Sequence, residues 1–282
     1  MQQLRGPGSA FVRLFDEEGD EGLVLPPEIQ AIYGRWPLPR DHELPYTYVN
    51  FVTSRDGRVS FNEPGRSSGG PISGNSQHDR WLMGLLRARA DAVLIGANAL
   101  EYAPRQTWHA RAIFPDDAPA WEELRQREGR RPTALHVIAT RSGRIRRQSP
   151  VLQDPSVPAL VVSNDEGLRH AREQIGTAPS VEFLSTGEQL DYRRLVAELG
   201  KSYHVKTLLS EAGPHVYAAL LQAGVVDDEF LTLSPIVAGN SAGHPRPGLV
   251  EGIAFPPDMP PRSRLLAVYR SGDHLFLHSR YK

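Results

Sequence analysis

Leu208-Leu209-Ser210-Glu211-Ala212-Gly213-Pro214-His215-Val216-Tyr217 is the stretch that decides the fold. Residues 205–209 are a short apolar run and read as a buried strand, and residues 215–221 read as a helix. Between them lies a tight turn with a carboxylate, a Gly and a Pro. A strand that runs straight into a helix leaves backbone N–H groups unpaired and aimed at one spot. With the helix dipole, those donors favour an anion, most often a phosphate. The same joint also serves as a packing device, so the turn alone leaves both readings open.

Upstream, the pattern repeats. Residues 46–54 form a strand carrying Tyr48, Phe51 and Val52, and it ends in the turn Arg55-Asp56-Gly57. Residues 58–61 are expected to continue beyond that turn, and 62–74, rich in Gly, Ser and Pro, to be a loop. Residues 75–89 have an amphipathic helical spacing, with Trp81, Leu82, Leu85 and Leu86 on the apolar face and Asn75 or Ser76 as cap. Residues 92–95 are a buried strand, and 96–101 turn through Gly96 into a second helix, giving a second strand–Gly–helix joint. Residues 104–128 lack a clear period, with Trp108 and Trp121 as anchors. Strands are expected over 134–140, 159–163, 181–184 and 225–233, with helices over 166–175 and 191–199. Residues 243–261 read as a loop, and 265–270 with 274–281 as a closing hairpin around Ser271-Gly272-Asp273. Residues 1–44 carry a short strand near 11–15 and a short helix over 26–33, and read as an N-terminal arm that packs on the body, residues 45–282, or on a second subunit. Strand alternating with helix, then an antiparallel end, specifies an α/β fold: a mostly parallel central sheet with helices on both faces and a C-terminal hairpin.

Composition narrows the function. The 282 residues are 40% apolar and 23% charged, enough for a sizeable core. A formal net charge of −1 gives no basic excess for nucleic acid and no polybasic run for a membrane surface. Cysteine is absent, which removes disulfides, thiol nucleophiles and Cys-based zinc sites and fits a cytoplasmic protein. His78, His109 and His215 lack metal-ligand spacing, and no metal is expected.

Ligands of such sheets sit beyond the carboxyl ends of the strands. Four features fall there: Gly96 with Ala97, Asn98 and Ala99; Arg141, Ser142 and Arg144; Ser163 with Asn164; and Glu211 with Gly213, Pro214, His215 and Val216. The two Gly joints suit the two phosphates of a dinucleotide. Arg141, Ser142 and Arg144 offer charge and a hydroxyl, as a ribose 2′-phosphate requires, and so point to NADPH over NADH. Read alone, Arg141 and Arg144 are better explained as solvated turn charges. No GxGxxG follows any strand, so the dinucleotide fold with that fingerprint is not expected.

Three segments carry a family likeness. Residues 48–59 around Ser54-Arg55-Asp56-Gly57, residues 86–97 from Leu86-Arg87-Ala88-Arg89 to Gly96-Ala97, and Ser210-Glu211-Ala212-Gly213-Pro214 followed by residues 220–228 resemble the riboflavin-pathway pyrimidine reductases. The likeness covers about residues 45–282. It implies a dihydrofolate reductase-like fold, a homodimer and an NADPH-dependent reduction like that of 5-amino-6-(5-phosphoribosylamino)uracil. There the ring-opened imine takes a hydride at C1′. By position, the loop at Gly213 holds the cofactor phosphates, Glu211 and Arg87 contact a phosphorylated pyrimidine-like substrate, and Asp56 orients substrate or relays a proton. As a turn residue before Gly57, Asp56 also has a purely local explanation.

The sequence departs from the family at one arm. Ala99 stands where a Thr is usual, with Asn98 able to replace its hydrogen bond. Glu101-Tyr102-Ala103-Pro104 replaces an acidic run, and Gln106 and His109 replace a Leu and an Arg that contact substrate. These departures keep two alternatives open: a related NADPH reductase of a pterin-like ring, and a non-catalytic nucleotide-binding dimer. Without Cys, this stretch of chain cannot carry the zinc deaminase motif.

Overall fold

The computed structural model describes residues 4–19, 21–40, 42–176, 178 and 180–281. The strands are β1 (Val12–Asp16), β2 (Tyr46–Thr53), β3 (Ala92–Gly96), β4 (Leu135–Ala139), β5 (Ala159–Ser163), β6 (Val181–Ser185), β7 (Thr207–Ser210), β8 (Asp228–Leu233), β9 (Ser263–Ser271) and β10 (His274–Tyr281). The helices are α1 (Pro27–Tyr33), α2 (Gly69–Ile72), α3 (Gln77–Ala88), α4 (Ala97–Tyr102), α5 (Ala110–Ile113), α6 (Ala118–Arg127), α7 (Pro150–Gln153), α8 (Asp165–Ile175), α9 (Tyr192–Tyr203) and α10 (Pro214–Gln222). All the described strands join one sheet in the order β1-β9-β10-β8-β2-β7-β3-β4-β5-β6. From β8 to β6 every pairing is parallel, while β10, β9 and β1 add antiparallel pairings at one end.

The parallel strands are short, apolar and covered on both faces, as crossover helices require. Alternate residues go to opposite faces. Val93 and Ile95 enter one core with Ile138 and Val161, while Leu94 enters the other with Val137 and Leu160. The first core also takes Phe11, Leu25, Ile29, Tyr33 and Trp36, so the N-terminal arm packs on the body of its own chain. Among the described residues no helix is long and apolar enough to cross a membrane.

Two expectations change. Residues 58–61 do not extend β2; they make one isolated bridge, Arg58 to Gly248. The stretch over 104–128, which shows no clear period, contains α5 and α6. Trp121 lies against Gly84 of α3 so closely that a Cβ there would sit 3.2 Å from its ring. That contact, not a clean amphipathic repeat, selects the helix.

α3 carries site residues, and its carboxyl end is firmly held. The Arg125 guanidinium donates to the carbonyls of Arg87, Ala88 and Ala90, a cation on the negative end of the helix. Tyr48 on β2 donates to the Leu86 carbonyl at 2.8 Å.

The arm is also pinned by charge. His278, 1% exposed, bridges Glu18 of the arm and Asp228 of β8. Burial alone lowers the His278 pKa, but its bonds to Asp228 and Glu18 outweigh this and lift it from 6.5 to about 9. A raised folded pKa contributes stability that is complete below pH 6.5 and lost as pH rises through about 9. We expect His278→Gln to cost on the order of 3 kcal/mol near neutrality. In urea melts, the gap to wild type should close above pH about 9. A gap independent of pH would contradict this assignment.

Candidate functional site

A cleft of about 1120 Å³ opens over the carboxyl ends of the central strands. Its volume exceeds the roughly 300–1,000 Å³ of a single small-molecule pocket and leaves room for two ligands side by side.

One half is built by three turns. Gly96, Ala97, Asn98 and Ala99 follow β3; Thr140, Arg141, Ser142 and Arg144 follow β4; Gly213, Pro214, His215 and Val216 open α10. Gly96 has φ −81° and Gly213 φ −68°, angles open to any residue. A Cβ built on either would meet no protein atom within 4 Å. Neither backbone strain nor packing therefore demands glycine at these two positions. What glycine leaves there is empty space on the cleft wall, where a bound group can reach the backbone. The donors on α10 are fewer than the sequence implies. Pro214 has no N–H, and the Val216 N–H is taken by the Gly213 carbonyl at 2.9 Å. The Gly213 and His215 amides have no backbone acceptor among the described residues.

The Arg141 turn is held from behind. Gly143 has φ +75°, and a Cβ there would lie 2.1 Å from the Gly167 carbonyl oxygen, so only glycine lets the turn seat on α8. Its amide donates to the Thr140 hydroxyl at 3.1 Å. Arg141 and Arg144 are exposed and make no ion pair among the described residues.

The other half lies over β2 and the amino-terminal part of α3. Asn50, Val52, Ser60, Ser67, Ser68, Gly70, Asp79, Met83, Arg87 and Glu211 line it. The Arg87 guanidinium clamps Glu211 with Nε at 3.0 and 3.1 Å and Nη2 at 2.6 Å, and both side chains are at most 6% exposed. Glu211 is fixed in turn by its amide on the Leu94 carbonyl at 2.9 Å. The two residues read separately as substrate contacts thus form one buried, charge-matched unit on the cleft wall.

Three expected site residues lie elsewhere. Asp56 does not line the cleft. Its carboxylate accepts from the Ser54 hydroxyl and from the amides of Ala238 and Gly239, all at 2.7–2.8 Å. Slight burial raises its pKa, but these donors outweigh that and hold it down at about 2. Such a carboxylate is saturated with donors, and it serves as a clamp rather than a catalyst. Ser163 is fully buried under the Arg141 turn and donates to the Thr140 carbonyl at 2.5 Å. It supports the turn and cannot touch a ligand in the cleft. His109 lies in a separate small pocket behind Arg87, with its ring centroid 5.0 Å from that of His136. Burial, then Arg111 and Arg87, lowers its pKa to about 4, leaving a neutral ring.

The sequence reading missed two features. One is a flap over 240–251 that carries Arg246 and closes the cleft. It is tied to the loop after β2 by Arg246 to Glu63 at 3.0 Å, Arg58 to the Arg246 carbonyl at 3.2 Å, and the Asp56 clamp at its foot. The other is Asp79. Its signal was present, because an acid three residues before Leu82 and seven before Leu86 falls on the apolar face of α3.

Residues 45–276 match a family model described as the RibD C-terminal domain. The chain belongs to this family. It is 25% identical over 212 residues to the 2,5-diamino-6-ribosylamino-4(3H)-pyrimidinone 5′-phosphate reductase of Archaeoglobus fulgidus, across 75% of this chain and 88% of that protein. It is 26% identical over 206 residues to the riboflavin biosynthesis protein RibD of Escherichia coli, across 70% of this chain but 50% of the longer relative. Among solved structures, a pyrimidine reductase-like protein of Corynebacterium diphtheriae superposes with a TM-score of 0.67 at 21% identity, covering 90% of this chain and 98% of that one. RibD of Acinetobacter baumannii gives 0.61 at 20% identity, with 85% of this chain spanning 58% of that one. The riboflavin-reductase resemblance and the mostly parallel α/β fold with its antiparallel end are both borne out.

Proposed function

We propose that this RibD-family chain is an NADPH-dependent reductase of a ribosylaminopyrimidine 5′-phosphate in riboflavin biosynthesis. The observation that carries the reading is the pair of glycines, Gly96 and Gly213, whose missing side chains leave open space on facing turns of one cleft. Bound there, the nicotinamide cofactor supplies a hydride to C1′ of the opened sugar. The chain's own residues do the rest. The Gly96 and Gly213 turns take the pyrophosphate, and Arg141, Ser142 and Arg144 take the 2′-phosphate. The Arg87–Glu211 unit gives the substrate half a rigid, polar wall. Its carboxylate oxygens retain lone pairs for the amino groups of a pyrimidine. The substrate class follows the name of the Archaeoglobus relative and the phosphorylated substrate that the family likeness implies. The homodimer rests on family likeness.

The test is NADPH oxidation with the ribosylamino-pyrimidinone phosphate, in its diamino and its uracil forms. Turnover with either is expected, along with micromolar NADPH binding. A protein that binds neither NADPH nor NADH would sink the reading.

A further inference from the structure

The reduction adds a hydride and also a proton, and a carboxyl on the cleft wall is placed to pass that proton on from water. Resting on the reductase reading, we propose that Asp79 is the acid that protonates the sugar ring oxygen as the ring opens.

The position of the residue singles it out. Among the described residues that line the cleft, the carboxyl groups are Asp79, Glu211 and Glu251. Glu211 is locked on Arg87, and Glu251 accepts the Gly248 amide at 2.6 Å within the flap. Asp79 is 4% exposed and makes no ion pair among the described residues. The cations of its own helix are committed elsewhere: Arg87 to Glu211, and Arg80 to the Ile113 carbonyl at 3.0 and 3.3 Å.

Its surroundings favour the protonated form. The Thr232 hydroxyl, on the β8 floor, finds no partner at full hydrogen-bond geometry but lies against this carboxyl, as does Ser73. From β10, His274 approaches and holds the Ser73 carbonyl at 2.9 Å. From beyond β7, the Glu211 charge faces it. Burial is the largest influence and raises the pKa. The two hydroxyls and His274 pull it down, Glu211 pushes it up, and the balance is about 6. Below about pH 6 a carboxyl without a cationic partner holds its proton for a basic atom that enters the cleft, and above that pH the ionised fraction grows.

The Asp79 proton passes to the ring oxygen as the C1′–O4′ bond breaks, and the nitrogen lone pair forms C1′=N. The hydride then forms the new C1′–H bond, and the π pair returns to nitrogen. Water reprotonates the carboxylate. One hydride and one proton are added in each turnover.

The experiment compares wild type with Asp79→Asn in steady state from about pH 5 to about pH 9. The variant is expected to lose on the order of 100-fold or more in kcat, with KM for the pyrimidine within about threefold. The fall in wild-type kcat at high pH should also disappear. Retained kcat, or a variant that keeps that alkaline limb, overturns the proposal. A raised KM with kcat intact assigns Asp79 to ring binding and overturns it as well.

A second measurement does not depend on turnover. Infrared difference spectra should show a protonated carboxyl that titrates near pH 6 in wild type and is missing in the variant. A wild type with no such band overturns the proposal even if the enzyme is active. A wild type with the band that reduces neither pyrimidine overturns the reductase reading instead. Folding is checked in parallel. The raised pKa means that Asp79's contribution to stability is complete below pH 3.8 and lost as pH rises through about 6, so the Asn variant should melt higher than wild type at pH about 8.

Discussion

Arg87→Ala is expected to lower the unfolding free energy by about 3–5 kcal/mol, because it leaves the Glu211 carboxylate buried without its cation. Both side chains are at most 6% exposed, and three guanidinium contacts of 2.6–3.1 Å join them, so solvent cannot take over the lost contacts. For a chain of this size the cost corresponds to a fall in Tm on the order of 10 °C. Thermal melts with and without NADPH measure it. Stability alone does not separate scaffold from substrate site, but a second variant does. In Arg87→Met with Glu211→Met, both charges leave together and the methionines fill similar volume, so most of the stability should return. If the pair also forms the substrate wall, reductase activity stays lost in that refolded double variant. Activity that returns with stability would make the pair purely structural.

That pair also illustrates what a sequence can and cannot disclose. Arg87 and Glu211 were each legible as site residues, one on a helix and one in a strand–helix turn. They lie 124 residues apart, and nothing local tells that they bind each other. Asp56 failed for the same reason. Its turn was legible, but the amides that saturate it belong to Ala238 and Gly239, more than 180 residues away. Ser163 was placed correctly at a strand's end, yet facing inward or outward is fixed only by the Thr140 carbonyl in the turn after the neighbouring strand. The elements themselves came through because their signals are local. A buried parallel strand such as Ala92–Gly96 is continuously apolar, and a helix such as Gln77–Ala88 carries its own cap and apolar face. The helices over 110–127 did not, since their order comes from Trp121 on Gly84 rather than from a repeat. Strand order is likewise non-local. β7 inserts between β2 and β3, an arrangement set by crossovers and not by any one segment.

Replacing Arg141 and Arg144 together by Ala is expected to weaken NADPH binding by about 100-fold while changing NADH binding by less than about threefold. The two guanidiniums stand exposed at the rim of the cleft, and no carboxylate partner among the described residues competes for them. A charge-assisted bond to a phosphate oxygen contributes roughly 1.5–3 kcal/mol, about tenfold to a hundredfold in affinity. Exposure pulls each contribution toward the lower end through solvent screening. Two such bonds then give the expected product, and raising salt to about 0.5 M should erase part of it. The turn itself should survive. Its shape is fixed by Gly143 against α8 and by the Thr140 hydroxyl, which accepts from the Gly143 amide and donates to the Arg144 carbonyl at 3.2 Å. None of those contacts uses a guanidinium, so the variant tests charge and not conformation. NADH, which lacks the 2′-phosphate, meets the same turn with nothing for the arginines to hold. Titration of both nucleotides by fluorescence or calorimetry gives the ratio directly. Equal losses for the two would move the 2′-phosphate away from this turn.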